Sequence, residues 1–129
     1  MQALIPEGIR VSPHYYPAVK AGNIITTAGI VAITPGDFVF APFNAIEQTR
    51  FIIDVLKKIL AEGGASLDNV VQIHSYYVDH SYLKGIFEGL HEAFGDKIPP
   101  HTGTQVSPDS FNSGEGICVE LEFMAVTEN

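Results

Sequence analysis

The order of hydrophobic periods along the chain is the feature that most constrains its fold. Residues 44–62 and 81–94 carry apolar side chains at helical spacing, and the stripe on the first segment is wide enough to lie across a sheet. Runs with strand character surround these two segments, at 24–31, 70–78, 101–106 and 117–126. This order predicts an α+β architecture, in which a mixed sheet carries two helices packed on one face.

Capping residues predict where the two helices begin and end. Asn44 is a candidate N-cap of the first helix, because its side chain can accept a hydrogen bond from the first turn. The Gly63-Gly64 pair would end that helix. Ser81 is a candidate N-cap of the second helix, and Gly95 would end it.

Alternation along the two longest predicted strands assigns their faces. Ile73, Ser75 and Tyr77 share one face of the 70–78 strand, and Glu120 and Glu122 share one face of the last strand. We expect the sheet face away from the helices to be too apolar to meet water. Packing between subunits is the predicted outcome.

Size and charge exclude several classes of function. A chain of 129 residues and 14.0 kDa predicts one domain, spanning residues 1–129. Fifteen acidic and seven basic residues give a net charge of −8, which repels phosphate backbones, so we expect no nucleic-acid partner. No secretory signal is visible and no apolar stretch approaches the roughly 20 residues of a membrane helix. We therefore expect a cytoplasmic protein with no membrane partner.

Cysteine and histidine spacing does not indicate a metal or redox centre. The one cysteine, Cys118, lies in an apolar run, which favours an inert core thiol over a reactive one. His14, His80 and His91 do not have the spacing of zinc ligands, and His74 is interpreted as structural. These spacings therefore predict no metal site.

Short motifs in a fixed order resemble the RidA/YjgF family, the reactive-intermediate deaminases. They lie within residues 12–126, at 18–23, 27–29, 48–49, 64–71, 78–79 and 119–122. The resemblance implies a chorismate-mutase-like homotrimer with one cleft at each subunit boundary. It also implies a small-molecule substrate, an enamine or imine that is hydrolysed to a 2-oxo acid and ammonia without a cofactor.

The resemblance also implies the candidate site residues. The two catalytic candidates are Glu120, as general base for water attack, and His101, which can bind an anion when protonated or move a proton. The substrate-binding candidates are Tyr15 or its neighbour Tyr16, Ala28, Gly29, Phe87, Thr102 and Gly103. Backbone N–H groups near Gly29 and near Thr102 and Gly103 would stabilise developing charge.

Three exchanges separate this chain from the family pattern. Ala28 replaces a serine, Phe87 replaces an asparagine, and His101 replaces the arginine that binds a substrate carboxylate. Arginine offers a permanently charged fork, whereas histidine is mostly neutral at pH 7. A more aromatic pocket would favour a larger conjugated substrate such as an aminomuconate.

These exchanges leave more than one function open. The alternative to a deaminase is a catalytically inactive homotrimer that binds a small metabolite. A ribonuclease is disfavoured by the negative charge. Glu120 could instead pair with a neighbouring strand, and His101 could be an ordinary residue at a strand edge.

Overall fold

A computed structural model of the chain describes residues 1–111 and 114–128, and the predicted loop at 107–116 therefore lies partly outside the described residues. Two helices form, α1 (Ala45–Glu62) and α2 (Leu83–Phe94). The strands are β1 (Gln2–Ala3), β2 (Ala18–Ala21), β3 (Ile24–Thr27), β4 (Ile30–Val31), β5 (Val70–Tyr77), β6 (His101–Gln105) and β7 (Val119–Val126).

The strands form one mixed sheet in the order β1-β2-β3-β7-β5-β6, with β4 also paired to β7. The pairing of β5 with β6 is parallel, and the other pairings are antiparallel. The long strand β7 is central, because β3 and β4 lie along one of its edges and β5 lies along the other. The predicted α+β architecture with two helices on a mixed sheet is confirmed. No helix within the described residues is long and apolar enough to cross a membrane.

The first helix has the predicted ends. The side chain of Asn44 accepts a hydrogen bond from the Glu47 backbone N–H at 3.1 Å. Gly63 donates its backbone N–H to Leu60, and Gly64 adopts a positive φ of 75°, a conformation that favours glycine.

The predicted N-cap of the second helix is wrong. The carboxylate of Asp79 accepts a hydrogen bond from the Ser81 backbone N–H at 2.8 Å and begins a short 3₁₀ turn, His80–Tyr82. This turn leads into α2, which begins at Leu83. An ionised carboxylate is a stronger acceptor than a hydroxyl, which explains why Asp79 takes the capping position.

The predicted strand at 24–31 is interrupted. Its two halves are β3 and β4, and the Ala28-Gly29 pair lies between them. Beside this break, Phe123 on β7 donates its backbone N–H to the Thr27 side-chain oxygen at 3.1 Å. A hydroxyl thus replaces a backbone carbonyl, and the sheet can open at this point without leaving a buried donor unpaired. The last strand also begins later than predicted, at Val119.

The helices pack on the face of β7 that carries Val119, Leu121 and Phe123, all of which are buried. Where the helices meet, a side chain on Gly89 would bring its Cβ within 2.6 Å of Thr49, so only glycine allows this separation between α1 and α2. Four fully buried residues form the core face of α1: Ile52, Leu56, Ile59 and Leu60.

The other sheet face is more polar than predicted. His74 and Tyr76 on β5 lie there beside Glu120 and Glu122 on β7, and all four are half-buried. The same face also carries Ile24, Val31, Met124 and Val126, so it is mixed and not uniformly apolar. The reason is that strand alternation directs the polar residues of both long strands to the side without helices.

A fully buried glutamine connects α1 to two loops. The side-chain N–H groups of Gln48 donate to the carbonyls of Ala41 at 3.1 Å and Gly116 at 2.8 Å. Its side-chain oxygen accepts the Cys118 backbone N–H at 2.8 Å. Because Gly116 and Cys118 lead into β7, this amide helps to place the central strand relative to α1.

Replacing Gln48 with alanine should lower the free energy of unfolding by about 2–4 kcal/mol, because two carbonyls and one N–H would lose their partner in the interior. Urea denaturation would measure the loss. Gln72→Ala is the matched control, since Gln72 is exposed, and it should cost less than about 1 kcal/mol. Equal losses in the two variants would contradict this role of Gln48.

Candidate functional site

A cavity of about 240 Å³ lies where the sheet is interrupted between β3 and β4. Its walls include the apolar side chains of Ile9, Ile30, Ile33, Val55 and Ile59. Its polar and aromatic lining comes from Arg10, Ser12, Tyr15, Ser110, Phe111 and Glu120. A cavity that combines apolar walls with a few convergent polar groups is typical of a small-molecule site.

The carboxylate of Glu120 lies directly against the backbone of Gly29. A Cβ at position 29 would stand 1.6 Å from Glu120 Oε1, so any side chain there would displace the carboxylate. The break between β3 and β4 and the glycine within it therefore make the space that Glu120 occupies.

Glu120 has no polar partner among the described residues. Its carboxylate is half-buried and makes no hydrogen bond or ion pair with any residue of 1–111 or 114–128. Burial, and secondly the charge of Glu122, raise the pKa of Glu120 above the ordinary value of 4.5. An unpaired carboxylate with a raised pKa, facing a cavity, is suited to accept and return a proton.

Glu122, two residues along the same strand, is held differently. The Tyr76 hydroxyl donates a hydrogen bond to Glu122 at 2.6 Å, and Nδ1 of His74 lies 3.8 Å from the same oxygen. This hydrogen bond is the main cause that raises the pKa of Tyr76 to about 12. The rings of His74 and Tyr76 stack with centroids 4.3 Å apart, and His74 Nε2 lies 3.0 Å from the Thr104 hydroxyl. The network occupies Glu122 and leaves Glu120 as the available acid.

Three of the predicted substrate-binding residues line the cavity with Glu120. These are Tyr15, Ala28 and Gly29. Tyr16 is not in the lining, although it is 54% exposed and Tyr15 is 61% exposed. Of the two tyrosines that the sequence left as alternatives, the structure therefore places Tyr15 at the cavity.

The remaining predicted residues lie elsewhere in the subunit. His101 is in register with Ile73, so its side chain lies on the helix-covered face, whereas Glu120 lies on the opposite face. Nε2 of His101 is 2.8 Å from the Ser75 hydroxyl, and its ring meets the Phe87 ring edge-on at 5.1 Å. One subunit therefore does not bring His101 and Glu120 together.

The environment of His101 keeps its ring neutral near pH 7. Burial, and secondly the charge of His74, lower the pKa of His101 below its ordinary value of 6.5. Thr102 and Gly103 follow it along β6 and are exposed at the edge of the sheet. The predicted site residues on β6 therefore comprise a neutral histidine and two residues at an open strand edge.

Among the polar and aromatic residues of the cavity, sequence reasoning missed Arg10, Ser12, Ser110 and Phe111. They lie in segments without a periodic pattern, and only the folded chain brings them beside β7. Arg10 is the most informative of them, because this cavity residue is cationic and its Nε donates a hydrogen bond to the Asp37 carboxylate at 2.8 Å.

The structure agrees with the interpretation of Cys118 as a core thiol. Its side chain is fully buried, and burial raises the pKa of the Cys118 thiol to about 11, so it is protonated at neutral pH. Among residues 1–111 and 114–128, no three His, Cys, Asp or Glu side chains are grouped so that they could hold a metal ion.

Glu120→Gln should raise the free energy of unfolding at pH 7.5. The folded protein holds the Glu120 proton more tightly than the unfolded chain does, so its contribution to stability is complete below pH 4.5 and is lost as the pH rises through the folded pKa. Glutamine removes the desolvated charge, and the gain should shrink when denaturation is repeated at pH 4.

Glu122→Gln is the contrasting variant. It weakens a charge-assisted hydrogen bond from Tyr76 and should lower stability by about 1 kcal/mol at pH 7.5. A lower stability of Glu120→Gln at pH 7.5 would contradict the unpaired state of its carboxylate.

Relatives of known sequence match nearly the whole chain. The sequence model of the family described as Endoribonuclease L-PSP matches residues 7–127. A RutC family protein of Pyrococcus abyssi is 32% identical over 114 residues, which cover 88% of this chain and 87% of that protein. The 3-aminoacrylate deaminase RutC of Acinetobacter baylyi is 31% identical over 107 residues, 81% of this chain and 84% of the enzyme.

Solved structures share the fold. A putative endoribonuclease of Thermotoga maritima superposes with a TM-score of 0.85 at 25% identity, covering 100% of this chain and 99% of the other. RidA of an Antarctic Psychrobacter gives a TM-score of 0.84 at 22% identity, covering 98% of this chain and 100% of the other. Because the family match spans residues 7–127 and the fold is the same, the chain belongs to the RidA/YjgF family, whose sequence model is described as Endoribonuclease L-PSP.

Proposed function

We propose that this protein hydrolyses a small enamine or imine metabolite to an oxo compound and ammonia, with Glu120 as the general base. The observation that carries the proposal is the half-buried Glu120 carboxylate, which has no polar partner within residues 1–111 and 114–128 and lines a cavity of small-molecule size. The similarity to the 3-aminoacrylate deaminase of Acinetobacter baylyi supports the same class of reaction.

The chemistry follows from one carboxylate and one water. A proton from solvent adds to the enamine carbon and gives an iminium ion, and water then adds to the carbon of its C=N bond while Glu120 takes a proton from that water. The protonated Glu120 gives this proton to the nitrogen of the carbinolamine, the C–N bond breaks and ammonia leaves, and the hydroxyl proton passes to solvent as the C=O bond forms. Glu120 ends the cycle as a carboxylate. Its raised pKa helps the step in which it takes the proton from water, because a less stable carboxylate is a stronger base.

Ala28 cannot contribute to the predicted stabilisation of charge that develops on the substrate. Its backbone N–H donates to the Pro17 carbonyl at 2.9 Å and is therefore occupied. The hydroxyls of Tyr15, Ser12 and Ser110, which also line the cavity, are among the groups that could orient a polar substrate there.

The cavity suggests a compact and partly aromatic substrate. Its 240 Å³ equals about eight water volumes of roughly 30 Å³ each. Tyr15 and Phe111 supply aromatic surface to the lining, whereas Phe87 packs against His101 on the other face. An amino-acrylate fits this space easily, and a conjugated substrate of the aminomuconate type would fill it and stack on the aromatic rings.

We propose that the working unit is a homotrimer, in which β6 of a neighbouring subunit closes each cavity. Residues 102–105 of β6 are exposed along an edge that has no strand partner among the described residues. An open edge of this kind is normally covered or paired. The arrangement would bring His101, Thr102 and Gly103 of one subunit towards Glu120 of another, which one subunit alone does not do.

A small-metabolite binder without catalysis is the second candidate. It is favoured by His101, because this residue is neutral near pH 7 and its Nε2 is in hydrogen-bonding contact with the Ser75 hydroxyl. Such a protein would keep the cavity and would lack turnover.

Glu120→Gln should lower the rate of ammonia release by about 10²–10⁴-fold, the usual effect of losing a general base. The assay would use freshly generated 2-aminoacrylate, 3-aminoacrylate and 2-aminomuconate, corrected for spontaneous hydrolysis. Glu62→Gln is the matched control, because Glu62 is an exposed acid at the end of α1, and its rate should equal that of the wild type.

Two results would overturn the proposal. Unchanged turnover in Glu120→Gln would show that Glu120 is not the general base. Absence of ammonia from every enamine, together with saturable binding of an oxo acid by the wild-type protein, would establish the binder instead.

Light scattering on the purified protein should give a mass about three times the 14.0 kDa of the chain. Gln105→Pro would be a useful variant. The hydrogen bonds from Ile73 to Pro100 and from Val106 to Tyr77 turn the even-numbered residues of β6 towards β5, so the N–H of Gln105 faces the open edge, where proline discourages pairing with another chain. The variant should lower both the mass and the turnover. A wild-type monomer with full activity would contradict a site shared between subunits.

A further inference from the structure

We propose that Arg10 is the anion-binding residue of this cavity, and that it takes the place of the arginine that position 101 lacks. The protein would therefore select substrates that carry a carboxylate. This inference rests on the proposed function for the view that the cavity holds the substrate. Arg10 is not among the site positions that the family resemblance implies, so the inference adds a binding residue to that set.

His101 cannot supply a permanent charge to the cavity of its own subunit. Its side chain lies on the helix-covered face, its Nε2 is in hydrogen-bonding contact with Ser75, and burial lowers its pKa. A substrate carboxylate in the Glu120 cavity therefore needs another cation, because an unpaired anion in a partly buried site is costly.

Arg10 is the one cationic side chain in the described lining of the cavity. Its Nε–H is directed to Asp37, and this hydrogen bond fixes the plane of the guanidinium. No contact among the described residues occupies its two terminal nitrogens, so their N–H groups remain available to a ligand. A guanidinium held by one edge can present the other edge to a carboxylate with two parallel hydrogen bonds.

The positions of Arg10 and Glu120 in the cavity suit two ends of one substrate. The two residues line the same 240 Å³ space, and among the described residues Arg10 pairs with Asp37 and not with Glu120. A substrate whose carboxylate binds Arg10 would present its other end, with the C=N carbon, to Glu120. Attraction between Arg10 and the substrate would also offset repulsion of an anion by Glu120.

A purely structural role explains Arg10 less well. The Arg10–Asp37 pair is exposed, with side chains 41% and 75% accessible, and exposed ion pairs contribute little to stability. The pair does, however, hold the cation at the cavity when no ligand is bound.

The test is an NMR titration with pyruvate, a stable oxo acid of the product class, on the wild type and on Arg10→Gln. The expected result is a rise in the pyruvate Kd of roughly 10- to 150-fold, the loss of one charge-assisted contact. Arg10→Lys should lie between the two, since it keeps the charge and loses the fork. In the wild type, the Arg10 Nε–H resonance should shift on binding.

Two controls separate a local effect from a change in net charge. Arg50→Gln removes the same charge from the outer surface of α1, where Arg50 pairs with Glu47 and Glu92, and it should leave the pyruvate Kd within twofold of wild type. Pyruvamide, the neutral analogue of pyruvate, should bind the wild type and Arg10→Gln equally weakly. Denaturation curves on each variant would verify that it folds.

Three results would overturn the proposal: an unchanged pyruvate Kd in Arg10→Gln, no binding of pyruvate to the wild type, or loss of binding in His101→Gln with retention in Arg10→Gln. Because binding needs no turnover, the test is independent of the deaminase assay. Ammonia release by the wild type with an unchanged pyruvate Kd in Arg10→Gln would refute the role of Arg10 alone. Arg10-dependent pyruvate binding without ammonia release would refute the deaminase alone.

Discussion

The side-chain alternation of β7 is the constraint on which the rest of the structure depends. Val119, Leu121 and Phe123 are buried under the helices, so Glu120 and Glu122 must point to the other face. A shift of one residue in register would bury both acids beneath α1 and expose the apolar residues. The buried amide of Gln48 opposes such a shift, because it holds the residues that lead into the strand.

The two carboxylates on this face have different surroundings, and the candidate site is at the one without a polar partner among the described residues. Glu122 is satisfied by Tyr76, with His74 nearby. Glu120 lies against Gly29 at the break in the sheet and has no partner among the described residues. A structural acid would be expected to have such a partner, since burying an unpaired carboxylate costs stability. A carboxylate that lowers stability and faces a cavity is typical of a group used for binding or catalysis.

Local patterns predicted most of the fold, because helical and strand periods are properties of neighbouring residues. The α1 boundaries, the two faces of β5 and the shared face of Glu120 and Glu122 all follow from such periods. The break at Ala28-Gly29 could not be predicted, since it depends on a hydroxyl of Thr27 that meets Phe123, 96 residues away. Arg10 was missed for the same reason, because its place in the lining of the Glu120 cavity depends on contacts between distant parts of the chain. The family resemblance identified Glu120, and the opposite facing of His101 appears only in the folded chain.

The most direct measurement of the central claim is the pH dependence of kcat/KM for enamine hydrolysis, corrected for the spontaneous reaction. If Glu120 is the general base, the rate should fall on acidification with an apparent pKa above 4.5, because burial raises the pKa of this carboxyl. The residual rate of Glu120→Gln should lack that acidic limb. An identical limb in the wild type and in Glu120→Gln would contradict the account, because the titrating base would then be another group.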